Sequence, residues 1–98
     1  MTKVIRPTVS PYIELLGIGS AKYRLLSNNL KEALKSLSLE VPVYEVTEVD
    51  DLMQYEIAGI PALAVNGQVL FQQIVPSAED IAIVLKVLLE SGGKVKKQ

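Results

Sequence analysis

The chain has 98 residues, no cysteine, no histidine and a formal net charge of -1, a size that supports one hydrophobic core and no more. Lack of cysteine excludes a disulfide scaffold, thiolate catalysis, an iron–sulfur cluster and a cysteine zinc site, and lack of histidine removes the usual general base and the commonest metal ligand. The composition, 49% hydrophobic and 21% charged, is that of a soluble globular domain, and its near-neutral balance makes no electrostatic case for nucleic acid or a membrane surface.

No apolar run approaches the roughly 18 residues that crossing a bilayer requires. Pro7, Pro11 and Glu14 interrupt the stretch that a signal peptide would need, so the expected compartment is the cytoplasm. Residues 1–11 read as a lead-in with a short edge strand at Lys3 to Arg6, residues 12–91 as one domain and residues 92–98 as a basic, frayed tail. Tyr12, Ile13, Leu15, Leu16 and Ile18, closed by Gly17 and Gly19, predict a buried central strand feeding a tight turn. From Ala21 the period changes: Leu26, Leu30, Ala33, Leu34 and Leu37 form one helical stripe. Lys22, Asn29, Lys31, Glu32 and Lys35 face away from that stripe, and Ser20 stands where an N-cap belongs. Val41, Val43 and Val46, with Tyr44 among them, predict a second strand. Thr47 followed by Glu48, Asp50 and Asp51 predicts a short helix over Asp50 to Tyr55 with acids near its positive dipole end. Gly59-Ile60-Pro61 breaks the chain, and Ala62 to Val65 and Val69 to Val75 are then strands joined by a hairpin at Asn66-Gly67. Pro76 ends the second of these; Ser77 with Asp80 caps a last helix that runs to about Glu90 and stops at Gly92-Gly93.

The predicted class is α/β, in the order β-α-β-α-β-β-α after a short N-terminal lead-in. A strand–helix–strand unit forces a parallel pair and a hairpin an antiparallel one, so the four strands form a mixed sheet with three helices on its faces. The local text Gly17-Ile18-Gly19-Ser20-Ala21-Lys22-Tyr23, then Gly59-Ile60-Pro61-Ala62-Leu63, then Val75-Pro76-Ser77, falls in the order of a known pattern. Over residues 12 to 90 the chain resembles the minimal thioredoxin fold, and within it the small archaeal and bacterial redox-active disulfide proteins. In that family the first turn carries Cys-x-x-Cys. Here Ser20 and Tyr23 occupy the two cysteine positions, and a serine hydroxyl neither ionises appreciably near neutral pH nor forms a mixed disulfide. The resemblance also implies a cis Ile60–Pro61 bond facing residue 20, where the family offers backbone groups to an extended peptide.

Each candidate residue has an ordinary reading beside its functional one. Ser20 is an N-cap, or it uses the same helix start to donate a hydrogen bond to a bound thiol or carboxylate. Tyr23 packs over the end of the sheet, or it joins Gly19, Ser20, Ala21, Ile60 and Pro61 in a ligand or peptide site. Lys22 and Arg24 form a solvated face or a mild positive patch. Glu45, Glu48, Asp50, Asp51 and Glu56 serve solubility and the helix dipole, since their spacing matches no metal or paired-carboxylate motif. On the last helix, Ile81, Val84, Leu85 and Leu88 cover the sheet, whereas Ile83 and Val87 point the other way and suit either the N-terminal segment or an interface, including a homodimer. The function expected first is a redox-inactive, thioredoxin-fold module that binds a peptide or protein through the Ser20 turn and the Pro61 loop, with no catalytic residue, metal or cofactor. The alternatives are binding of a thiol compound such as glutathione, or transferase-like use of it, through Ser20, and a cysteine-replaced copy of a thiol–disulfide oxidoreductase.

Overall fold

Residues 10–95 are described here from a computed structural model. The edge strand expected at Lys3 to Arg6 and the end of the tail lie outside them. The elements follow in the order β1 (Ile13–Leu16), α1 (Ala21–Leu37), β2 (Val43–Val46), α2 (Val49–Leu52), β3 (Ala62–Val65), β4 (Gln68–Gln72) and α3 (Ala78–Val95). One four-stranded sheet has the order β2-β1-β3-β4. β1 runs parallel to β2 with Leu16 opposite Val46, and antiparallel to β3 with Leu16 opposite Ala62. The hairpin β3–β4 is antiparallel and turns at Asn66 (φ 52) and Gly67 (φ 84), the positive angles that a two-residue hairpin turn requires.

Alternation along the central strands divides the core. Ile13, Leu15, Leu63 and Val65 face α1 and α3, where they meet Leu26, Leu30, Ala33, Ile81 and Leu85. Leu16, Ala62 and Ala64 face the other way and meet Val46, Leu52 and Tyr55 on the α2 side. Both faces of β1 and β3 are therefore covered, which is why each reads as a continuous buried run. The predicted helical stripe of α1 is the one buried, and the helix ends at Ser38 in the left-handed conformation, its N–H returning to Leu34 and Lys35 carbonyls. Asn29, expected on the outer face, is half-buried and donates to the Pro76 carbonyl at 2.9 Å, tying α1 to the entrance of α3. Tyr12 and Tyr44 meet edge to face across β1 and β2, 6.3 Å between ring centres.

Several boundaries differ from the sequence expectation. α2 covers Val49–Leu52 instead of Asp50 to Tyr55, because the chain turns after Met53 and brings the Tyr55 ring into the core. β4 ends at Gln72, not Val75: Gln73 takes φ 66, which no strand can propagate. α3 continues through Gly92 and Gly93 to Val95, since a helical glycine costs only about 1 kcal/mol against alanine and forbids nothing. Its start is as expected, with the Asp80 N–H donating to Ser77 Oγ at 3.1 Å. Among the described residues no helix is long and apolar enough to cross a membrane.

Candidate functional site

The turn between β1 and α1 lies at the carboxyl end of the central strand. Gly19 sits at φ 79, a conformation that L residues rarely adopt, and Ser20 follows in an extended conformation as the N-cap. Ser20 Oγ accepts the Tyr23 N–H at 3.2 Å, leaving the hydroxyl proton available for donation. The Arg24 guanidinium donates to the Gly19 carbonyl at 2.9 Å, so this cation is drawn onto the turn itself. Gly19, Ser20, Ala21 and Lys22 are all exposed.

Tyr23 is placed differently. It is buried, and its ring lies against Gly17 so closely that a Cβ there would collide with it. Its hydroxyl donates to Glu45 Oε1 on β2 at 2.8 Å. Burial, then this hydrogen bond, then the Glu45 charge hold the phenol above the ordinary tyrosine range. Glu45 thus has a specific structural partner beyond the solubility expected of it. Gly17 is what lets a ring occupy the position where the resemblance expects a second cysteine.

Across the site, Ile60–Pro61 is cis. The loop is held from behind by the end of β4: the Ala58 N–H donates to Gln72 Oε1 at 2.7 Å, the Gln73 N–H donates to the Pro61 carbonyl at 2.8 Å, and the Gln73 side chain lies on Gly59. Among the described residues neither backbone group of Ile60 pairs with another backbone group. Ile18 of the turn and Ile60 of the loop line one apolar cavity of about 490 Å³, together with Val49, Leu52, Met53, Tyr55 and Ile57. Of the expected site residues Ile60 lines it; Ser20 and Ala21 are exposed on the neighbouring turn, Pro61 is buried behind the loop, and Tyr23 is turned toward β2.

A model of the thioredoxin domain matches residues 12–86. The chain belongs to the thioredoxin domain family. It is similar to a thioredoxin of Methanothermobacter thermautotrophicus, 30% identical over 73 residues that make up 74% of this chain and 95% of that one. A thioredoxin of Methanocaldococcus jannaschii is 28% identical over 78 residues, 80% of this chain and 90% of that one. This thioredoxin-domain chain differs from the family pattern in containing no cysteine at all.

Two parts of the site escaped sequence reasoning. Glu14 is 2% exposed in the middle of β1, and Tyr55 donates to its Oε2 at 2.7 Å from the floor of the cavity. A carboxyl in such a place costs several kcal/mol unless it is hydrogen-bonded. The signal was available: a lone acid inside a strand apolar on both faces has to be buried and needs a donor. The cavity wall is the other part, because Val49 and Met53 bracket a helix of only four residues and carry no amphipathic period. Ile83 and Val87 are 58% and 60% exposed on α3 and line no part of this cavity.

Proposed function

We propose that this protein is a redox-inactive member of the thioredoxin domain family that binds an extended peptide segment of a partner between the Ser20 turn and the Pro61 loop. The observation that carries the reading is the shared cavity: Ile18 from the turn and Ile60 from the loop line one apolar hollow, and a hydrophobic depression edged by Ile60 backbone groups that pair with no other backbone group among the described residues suits a side chain on an extended backbone. The lack of any thiol supports binding without electron exchange. Glutathione or a related thiol compound has one supporting feature, the free hydroxyl proton of the exposed Ser20 at a helix start. Such a ligand is anionic, and the charges at the turn do not single it out: Lys22 and Arg24 on the first turn of α1 attract it, and the Glu45 carboxyl bonded to Tyr23 opposes it.

Titration with a short, neutral, leucine-rich peptide, followed by amide shifts, tests the main reading. Shifts are expected at residues 17–21, 49–53 and 57–61, and Met53→Asp should weaken binding about tenfold, the loss of one buried apolar contact plus a desolvated charge. Glutathione at millimolar concentration should leave those amides unmoved. Shifts confined to Gly19, Ser20 and Ala62 with glutathione, and none with peptide, would reverse the two readings.

A further inference from the structure

We propose that the cavity selects a cationic partner segment: an extended stretch whose apolar side chains are flanked by lysine or arginine. The inference rests on the peptide-binding reading above and names the chemistry of the peptide. Its first support is apolar surface left to solvent. Ile18, Val49 and Met53, which wall the cavity, are 59%, 62% and 77% exposed, while Leu52 and Tyr55 beneath them are buried.

The second support is charge. Between Lys35 and Lys86 the chain has no lysine or arginine, and Glu48, Asp50, Asp51 and Glu56 all fall in the stretch that supplies Val49, Leu52, Met53 and Tyr55 to the cavity, whereas Glu45 stands opposite Leu15 on the α1 face of the sheet and accepts from Tyr23. Glu48, Asp50 and Glu56 are each the chain neighbour of a lining residue and are exposed, while Asp51 Oδ1 is buried. The dipole of α2 accounts for Asp50 and Asp51 in its first turn, but Glu48 stands at the N-cap without a side-chain cap bond and Glu56 lies beyond the helix. The neighbouring cations, Lys22 and Arg24, stand on the first turn of α1, and Arg24 is directed to the Gly19 carbonyl.

Apolar walls with an acidic rim discriminate among ligands by sign and by shape. An anionic lipid surface or nucleic acid is repelled by the rim. A purely cationic chain leaves the walls wet, and a purely apolar one gains nothing from the rim. A segment that combines both satisfies the two together, with the Ile60 backbone groups, which bond no other backbone group among the described residues, at hand for its extended main chain.

Four synthetic peptides of one length make the test: leucine and isoleucine at alternate positions with arginine, glutamate or serine flanks, and an arginine-flanked control in which serine replaces every apolar residue. The arginine–apolar peptide is expected to bind about tenfold more tightly than its serine-flanked counterpart and more tightly still than the glutamate one, with shifts at Ile18, Val49 and Met53. Raising the ionic strength from about 0.05 to about 0.5 M should remove most of that preference. Asp50→Lys with Glu56→Lys, both exposed positions, should invert it. Equal binding of the three apolar peptides overturns the selection for cations and leaves the peptide-binding groove intact. Equal binding of the apolar-free control overturns the proposal, because the acids would then act alone. No shift with any of the four overturns this proposal and the peptide-binding reading together.

Discussion

Tyr23 shows how one side chain can change what a turn is for. In place of a thiol it sets a ring on Gly17 and a hydroxyl on Glu45, so that the start of α1 is bonded to β2. Removing the hydroxyl in Tyr23→Phe should cost about 1.5 kcal/mol in urea unfolding, the lower end for a hydrogen bond to a charged group since Glu45 is exposed. The same bond gives an alkaline signature. An unfolded tyrosine titrates near pH 10, whereas in the folded chain burial and Glu45 hold this phenol higher. The unfolded state therefore loses its proton first, so the stability contributed is complete below about pH 10 and declines as the pH rises beyond it. Measured across that range, the decline should be shallower in Tyr23→Phe than in the parent. Glu14 is the opposite case, a residue whose environment was readable from its neighbours: a single acid among Ile13, Leu15 and Leu16 signals a buried carboxyl, and Tyr55 supplies the donor.

Among the elements, those governed by local chemistry were legible and those governed by distant contacts were not. β3 and the Asn66–Gly67 hairpin sit where their alternation and turn residues put them, and α1 begins on its expected cap, Ser20. β4 looked longer because Ile74 and Val75 are good strand residues, yet Gln73 leaves the strand to seat its side chain on Gly59 and its N–H on Pro61. That event depends on a loop more than ten residues away in the chain. The cavity was hidden for the same reason: Ile18, Val49 and Ile60 come from three separate segments, and no spacing rule joins them. The end of β4 is consequently part of the site's support. Gln72→Ala removes the acceptor of the Ala58 N–H and is expected to speed hydrogen exchange at that amide about tenfold, with less than about 1.5 kcal/mol lost from global stability. An unchanged Ala58 rate would mean that the loop holds itself.

At the scale of the molecule the two faces of the sheet are closed differently. α1 and α3 close one face with the larger cluster of buried side chains, and the other carries a short helix, a buried carboxyl and the open cavity. The larger share of the buried packing thereby lies on one side of the sheet and the open apolar cavity on the other. Ile83 and Val87, exposed on α3, lie on the more heavily packed side and outside the cavity. Ile83→Glu is expected to change unfolding free energy by no more than about 0.5 kcal/mol, as for other exposed positions, while separating in sedimentation any copies that associate through this face. A larger loss of stability in the dilute protein would mean that the side chain is covered within a single chain.

The floor of the cavity also has an optical consequence. The chain has no tryptophan and four tyrosines, so its ultraviolet emission comes from phenols alone. Tyr55 lines the cavity with its hydroxyl bonded to a carboxyl, a bond to which phenol fluorescence is sensitive. A ligand that enters the hollow arrives in contact with this ring and needs no attached dye to be seen. Any partner free of tyrosine and tryptophan can be titrated against the protein by its own light.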